Sequence, residues 1–511
     1  MATKWKEPKP LTGSRLMLAG FVLALSNFMV VLDTTIANVS VPHIAGSLAI
    51  APSQGVWVIT SYAVAEAITV PLTGWIAQRF GAVRSFVFAL AGFAFFSALC
   101  GMSSTLTMLV VCRIGQGLCG GPLMPLTQTL LLRIFPPEKR PQAMGMWAMT
   151  TIVAPIVGPI LGGWISDNWS WPWVFFINLP VAAICIFSTW RMLSPAETPI
   201  EKKSIDTVGL TLLVLWVGAL QLMLELGREH DWFASTLITG LAVFAGLGFA
   251  VFLAWELTEE HPVVDLRVLR HRGFTMSVVA LSFCFATFFA SIVILPQWLQ
   301  SSMGYSATQA GYVMAFNGVF ALVLAPVVAR LVTKVDPRLL VSAGILWIAG
   351  TSLLRTHWTT ESTFWTLALP QLLQGIGMPF FFVPLTTLAL GAVEPRETAS
   401  AAGLMSFLRT VAAAFGTSVA TTYWDNQARA ERSLLAGALN APEAAMARLQ
   451  AAGFSREQAR AMIERMVDQQ SVMLATNHIF LIAAGFFALA ALIIWFVPKP
   501  PPGSNPMGAA H

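Results

Sequence analysis

Four charged side chains interrupt otherwise apolar stretches of this sequence: Asp33, Glu66, Arg113 and Arg409. A charge in hydrocarbon is costly unless it is paired or wetted, so each marks a place where a proton, an ion or a charged ligand can be handled. A carboxylate in a low-dielectric cavity can switch between its neutral and ionised forms near neutral pH, taking a proton from one side and releasing it to the other. Asp33 and Glu66 are the carboxylates positioned for that task. An arginine keeps its proton but can hold a carboxylate and let it go on neutralisation, so Arg113 reads as a switch and not a carrier. By position along its run, Asp33 stands toward the outer end of the first, Glu66 in the middle of the second and Arg113 in the inner part of the fourth. Glu66 suits a contact with a cationic substrate equally well. Arg409 is a possible buried charge partner in the second half, in a structural or a functional role. Glu225, Glu256 and Asp206 lie at the ends of runs, within reach of water.

The elements that must hold these charges follow from composition. Of 511 residues, 56% are hydrophobic and 11% charged, against about 25% charged in an average soluble chain. With a mean hydropathy of +0.70, the chain is expected to be an all-α polytopic membrane protein, since runs of roughly 20 apolar residues span a bilayer. Membrane barrels would instead show alternating segments of about ten residues. Spans are expected near 16–38, 56–77, 85–104, 107–130, 142–165, 173–194, 206–225, 235–256, 274–299, 308–331, 338–355, 363–390, 398–424 and 478–497, fourteen in all. The first is too long for a cleaved signal and contains Asp33.

Other chemistries find little support. The five cysteines, Cys100, Cys112, Cys119, Cys185 and Cys284, sit in apolar runs without Cys-x-x-Cys pairing and read as packing residues; no metal is expected. There is no nucleotide-binding Gly-Lys-Ser/Thr loop, so an enzyme is not expected, and no cofactor beyond a proton gradient. A net charge of +5 without a basic tract gives no footprint for nucleic acid.

Lysine and arginine set the expected orientation. With both termini cytoplasmic, that side collects 20 of the 30 basic residues, among them Lys4, Lys6, Lys9, Lys202, Lys203 and Lys499. The opposite side holds Arg228 and Arg355 in short loops, and six more in residues 425–477. That segment of about fifty mostly polar residues carries apolar positions spaced as in amphipathic helices (Leu434, Leu435, Leu439, Met446, Leu449, Met462, Ile463, Met466). It is expected outside the membrane, on the periplasmic side, as a solvated cap or a docking site for a partner.

The chain also repeats itself. At an offset of 258 residues, Gln116-Gly117 falls on Gln374-Gly375, Pro137 on Pro395, Gly145 on Gly403 and Gly158 on Gly416. The expected organisation is a six-helix bundle over 1–195, inserted helices seven and eight over 196–260, and a second six-helix bundle over 261–511. Secondary transporters built from such repeats hold their substrate at the midplane between bundles. Glycines four apart let helix backbones approach closely, and Pro159 favours a bend, so Gly158-Pro159-x-x-Gly162-Gly163 is expected to make a tight, bent contact between the bundles.

Taken together, these residues resemble the fourteen-helix drug:proton antiporter branch of the major facilitator superfamily, and within it the EmrB-like pumps more than the QacA-like ones. The likeness rests on Leu32-Asp33-Thr34-Thr35-Ile36-Ala37-Asn38-Val39, on Arg113 with Gln116-Gly117, on Ala154-Pro155-x-x-Gly158-Pro159-x-x-Gly162-Gly163, and on Trp171-x-Trp173-Val174-Phe175-Phe176-Ile177-Asn178-Leu179-Pro180. It implies proton coupling through Asp33, Glu66 and Arg113, and an antiporter motif of Pro155, Gly158, Pro159, Gly162 and Gly163. The loop between spans two and three departs from the family pattern. Gly74, Arg79, Gly81 and Arg84 are kept, but Gln78 replaces the family's acidic residue, which weakens any charge latch there.

The resemblance further implies a bacterial inner-membrane pump for hydrophobic drugs, working with a periplasmic membrane-fusion adaptor and an outer-membrane channel. Phe28, Met29, Asn38, Trp57, Tyr62 and Met124 are candidate substrate contacts, because soft methionines and flat rings accept varied ligands. A dedicated exporter of one metabolite, lipid or siderophore would share the same fold.

Overall fold

In lipid every backbone N–H and C=O must find a partner inside the protein, which leaves a chain this apolar with helices as its regular structure. The computed structural model describes residues 11–55, 57–200, 206–260, 262–438 and 442–498, and all regular elements among them are helical. Lys4, Lys6, Lys9, Lys202, Lys203 and Lys499, used above for orientation, lie outside the described residues.

The first part of the chain forms α1 (Gly13–Ser47), α2 (Pro52–Gly55), α3 (Trp57–Thr69), α4 (Thr73–Phe80), α5 (Ala82–Gly101), α6 (Leu106–Gly120), α7 (Leu123–Ile134), α8 (Arg140–Asn168), α9 (Trp173–Phe176) and α10 (Asn178–Leu193). The remainder forms α11 (Thr207–Leu226), α12 (Thr236–Thr258), α13 (Arg272–Ser301), α14 (Ala307–Leu331), α15 (Pro337–Arg355), α16 (Phe364–Gly391), α17 (Thr398–Ala438), α18 (Pro442–Ala451) and α19 (Arg456–Ile493). Among the described residues, twelve helical stretches are long and apolar enough to cross a membrane, and a bent pair, Pro137–Pro155 with Val157–Asn168 at 42°, makes a thirteenth. The span expected over 56–77 is divided into α3, a 3₁₀ turn (Val70–Leu72) and α4. Pro71 brings no N–H to the ladder at that turn, so neither half alone reaches spanning length.

Glycines set the closest helix contacts. A Cβ on Gly158 would run into the Thr35 side chain, and one on Gly162 would stand 2.8 Å from the Ile36 carbonyl, so this face of α8 lies against α1. The expectation that these two glycines join the bundles is therefore corrected, because their partner is a helix of the same repeat. The link from α8 to the second repeat runs along its other face. There Gly145 faces Ala329, Gly163 faces Thr308 at 3.4 Å, and Gly311 of α14 faces Ile160.

The repeat reappears in these contacts. Gly403, repeat mate of Gly145, packs on Val70 and Thr73, while Gly416, mate of Gly158, packs on Ala286 of α13. The pair α11 and α12 lies beside this arrangement. Trp216 meets Phe407 edge to face, Ser418 Oγ donates to the Leu224 carbonyl at 2.8 Å, and Arg228 pairs with Asp425 at 2.6 Å.

The segment 425–477 differs most from expectation. In place of a separate polar domain, its two ends continue α17 and α19, helices of 41 and 38 residues. At 1.5 Å per residue these are each about 60 Å long, roughly twice a hydrocarbon core of about 30 Å. They leave the membrane as a hairpin closed by α18 and braced by Arg432 on Asp468 at 2.6 Å. Of the expected apolar positions, Leu434 (67%), Met462 (43%) and Met466 (58%) are exposed, Leu435, Met446, Leu449 and Ile463 are half-buried, and Leu439 lies outside the described residues.

The glycine contacts give a direct test. Gly158→Leu should lower the melting temperature of the detergent-purified protein by several degrees or more, an overpacking cost of ~1–3 kcal/mol. The same change at Gly218, which has open space around it, should leave melting within about a degree.

Candidate functional site

Asp33 is fully buried just past the middle of α1, and four other elements supply its surroundings. Arg113 Nη1 of α6 donates to Asp33 Oδ2 at 2.7 Å. The second carboxylate oxygen accepts from Gln116 Nε2 at 3.0 Å and from Asn178 Nδ2 at 2.6 Å. Arg113 is itself held from three sides. Its Nε donates to the Val58 carbonyl at 3.1 Å, its Nη1 also reaches Gln116 Oε1 at 2.8 Å, and its guanidinium lies 4.1 Å over the ring of Tyr62. Asn178 also donates to Ser97 Oγ at 3.1 Å, and Ser97 donates to the Phe175 carbonyl at 2.9 Å.

Charge-assisted bonds of this kind are the strong ones, and their pattern depends on Asp33 being ionised. A protonated Asp33 would lose the ionic share of its bond to Arg113 and present an O–H where three donors now converge.

This geometry revises the reading of Arg113. The sequence placed it in the inner part of its run and Asp33 toward the outer end, yet the two are in direct contact. Successive spans run in opposite directions, so a residue early in the fourth span meets one late in the first. Gln116 and Asn178 lay inside the quoted motifs without a role of their own, and the structure makes both ligands of Asp33.

The remaining candidates divide into two groups. The carboxylate of Glu66, part-buried, makes no hydrogen bond or ion pair among the described residues, and it lies within electrostatic reach of Arg113 and Arg409. Arg409 is 3% exposed. Its Nη2 donates to the sulfur of Met124, and its guanidinium sits 5.2 Å from the Trp147 ring and 4.9 Å from that of Phe285. The expected charge partner in direct contact is thus replaced by sulfur and π faces, with Glu66 acting from a distance.

Phe28 and Met124 pack together on the patch formed by Val31, Leu32 and Ala154. Tyr62 is a wall of the Arg113 site. Met29 is 2% exposed in the main core, while Asn38 and Trp57 are exposed and do not join the patch.

At the loop between spans two and three, an acid distant in sequence comes in beside Arg84. Glu197, just past α10, accepts from the backbone N–H groups of Val83 and Arg84 at 2.9 Å each and lies 3.9 Å from the Arg84 side chain. It thereby caps the N-terminus of α5, where a negative charge is favourable. Gly81, at φ +89°, leaves no room for a Cβ beside that carboxylate. Gly74 closes directly on Ser400 of α17, whose hydroxyl accepts from Gln78 Nε2 at 3.5 Å, and Arg79 is part-exposed at the end of α4.

Arg355, assigned above to a short outer loop, is instead 1% exposed. It is the last residue of α15, and its side chain turns inward to Gln371 and Gln374 of α16.

A buried Asp33–Arg113 pair lies among helices long and apolar enough to cross a membrane, and the chain belongs to the Major Facilitator Superfamily, which its residues 23–417 match. It is 41% identical to Multidrug export protein EmrB of Escherichia coli (strain K12) over 511 residues, 99% of this chain and 100% of that protein. It is 42% identical to Fatty acid resistance protein FarB of Neisseria gonorrhoeae over 496 residues, 96% of this chain and 98% of that one. Among solved structures, the proton:xylose symporter XylE superposes with a TM-score of 0.60 at 14% identity, covering 97% of this chain and 98% of that chain, a likeness of fold alone. The resemblance to EmrB-type pumps is borne out, and the chain is a multi-pass membrane transporter, not an enzyme.

Removing one member of a buried pair strands the other, at ~3–5 kcal/mol. Asp33→Asn and Arg113→Gln should each lower the melting temperature by several degrees, and the double variant should melt above Arg113→Gln alone. Strict additivity of the two losses would show that the residues do not act as a pair.

Proposed function

We propose that this protein is a proton-driven antiporter of the inner membrane that exports hydrophobic or amphipathic compounds by alternating access. The observation that carries this reading is the buried Asp33–Arg113 pair with its amide ligands. Proton uptake by Asp33 weakens its hold on Arg113, and the freed guanidinium must find a new partner or pull its helix toward one. Rocking of the 1–195 bundle against the 261–511 bundle, with 196–260 inserted between them, turns that local change into opening on the opposite side. Antiport follows if substrate and proton favour opposite states of the same equilibrium.

Glu66, with no direct partner and facing Arg409, is a second proton site or the contact for a cationic substrate. The patch of Phe28, Met124 and Val31 beside Arg409 offers the apolar surface such a ligand needs. Both termini are assigned to the cytoplasm from the distribution of basic residues, which puts the α17–α19 hairpin in the periplasm. There its outward apolar positions and the groove between Arg429, Arg432, Ile463 and Val467 suit a helix of a membrane-fusion adaptor, which would in turn engage an outer-membrane channel.

In proteoliposomes with an imposed pH gradient, the wild-type protein should move a fluorescent amphipathic cation against its concentration gradient. Asp33→Asn should abolish gradient-driven transport while leaving substrate binding in place, and unchanged transport would remove Asp33 from the mechanism. For the partner, Leu434→Gln, Met462→Gln and Met466→Gln together should abolish co-purification with the adaptor and spare transport in liposomes. Full adaptor retention would place the contact elsewhere.

A further inference from the structure

The two repeats handle buried charge differently. At the 258-residue offset, Asp33 corresponds to Ser291, Arg113 to Gln371 and Gln116 to Gln374, while Arg355 occupies the position of Ser97. The second repeat has thus lost the carboxylate and moved its cation by one helix. Arg355 is 1% exposed and has no acidic partner within ion-pair distance among the described residues. Its Nη2 donates to Gln371 Oε1 at 3.1 Å and also to Gln374 Oε1, which accepts in addition from Asn317 Nδ2 at 3.1 Å. Rings of Phe480 and Trp358 flank the guanidinium at 5.1 and 5.9 Å.

Several polar atoms at this place have no partner at all. Arg355 Nε, Gln371 Nε2 and Gln374 Nε2 are buried and unused, and Arg355, Gln371 and Gln374 line one small cavity. A buried guanidinium without an anion is unfavourable, and unused buried donors add to that cost. One kind of group satisfies all of them. A carboxylate has two oxygens and about four lone pairs, enough to take the guanidinium and both amides together. Ser291 and Asn317 complete the polar end of the cavity, and the rest of its wall is apolar, formed by Phe288, Ile292, Leu295, Met314 and, from α8, Ile152 and Pro155. Its volume is about 10 Å³, close to that of a single water, so in this state it is closed over its polar end. Withdrawal of α8, the bent helix that also packs on α1, would open it.

We propose that Arg355, Gln371 and Gln374 form a subsite for the carboxylate head of an amphipathic anion, whose tail lies along α8 and α13. This rests on the reading of the chain as an exporter and names one class of compound it carries.

The test uses the full-length protein in phosphatidylcholine nanodiscs, with laurate and dodecyltrimethylammonium as probes of equal chain length and opposite charge, read by calorimetry. Arg355→Gln should weaken laurate binding by about tenfold or more and leave the cation within about twofold. Arg355→Lys, which keeps the charge and loses the planar fork, should fall between the wild type and Arg355→Gln. Laurate binding unchanged in Arg355→Gln, or both probes weakened alike, would overturn the subsite. Displacement of laurate by equimolar acetate would also overturn it, by showing a site for small anions only. Gradient-driven export of dodecyltrimethylammonium by the wild type is measured in parallel. Its absence would defeat the transport reading while leaving the binding result to stand or fall on its own.

Discussion

A full charge cannot be left alone in hydrocarbon, and the first repeat is arranged around that fact. Asp33 and Arg113 lie 80 positions apart in sequence and 2.7 Å apart in space. Holding them there requires α1 and α6 to meet at a fixed level, α3 to offer the Val58 carbonyl and the Tyr62 ring, α5 to offer Ser97, and α10 to begin at Asn178. Each contribution is a small interaction, but together they fix the relative depth of five helices. Every bond to Asp33 in this cluster is of the charge-assisted kind, which is what makes these small contributions strong.

The helix α8 joins this cluster to the second half. One face, through Gly158 and Gly162, is pressed on α1 next to Asp33, and the other, through Gly145 and Gly163, on α14. Contacts this close leave no slack for independent sliding, since packed interfaces tend to hold discrete arrangements and resist continuous deformation. The 42° bend near Pro155 separates Gly145 from Gly158, Gly162 and Gly163.

Much of this was legible in the sequence, and the reasons differ by feature. The buried charges stood out because charge is scarce in these runs, and the spans because apolar length is dictated by bilayer thickness. Glycine and proline pairs survived the offset comparison since few other residues can occupy backbone-tight positions. What could not be read were partners distant in sequence. Glu197 caps α5 beside the span-two loop from more than a hundred residues away, and nothing local to that loop points to it. Arg355 looked like a loop residue, because a charge at a helix end is ordinarily wetted; only the packing of α16 and α19 around it removes the water. The level of Arg113 was recoverable in principle from the alternation of span direction.

The length of α17 has a mechanical meaning. Arg409 lies deep among the helices, and Arg432, braced on Asp468, stands 23 residues further along the same unbroken rod, about 35 Å away. A tilt of about 10° at the level of Arg409 would sweep the far end through about 6 Å by that geometry. The hairpin is therefore a long lever, at whose tip a small change of angle in the core becomes a displacement of several ångströms.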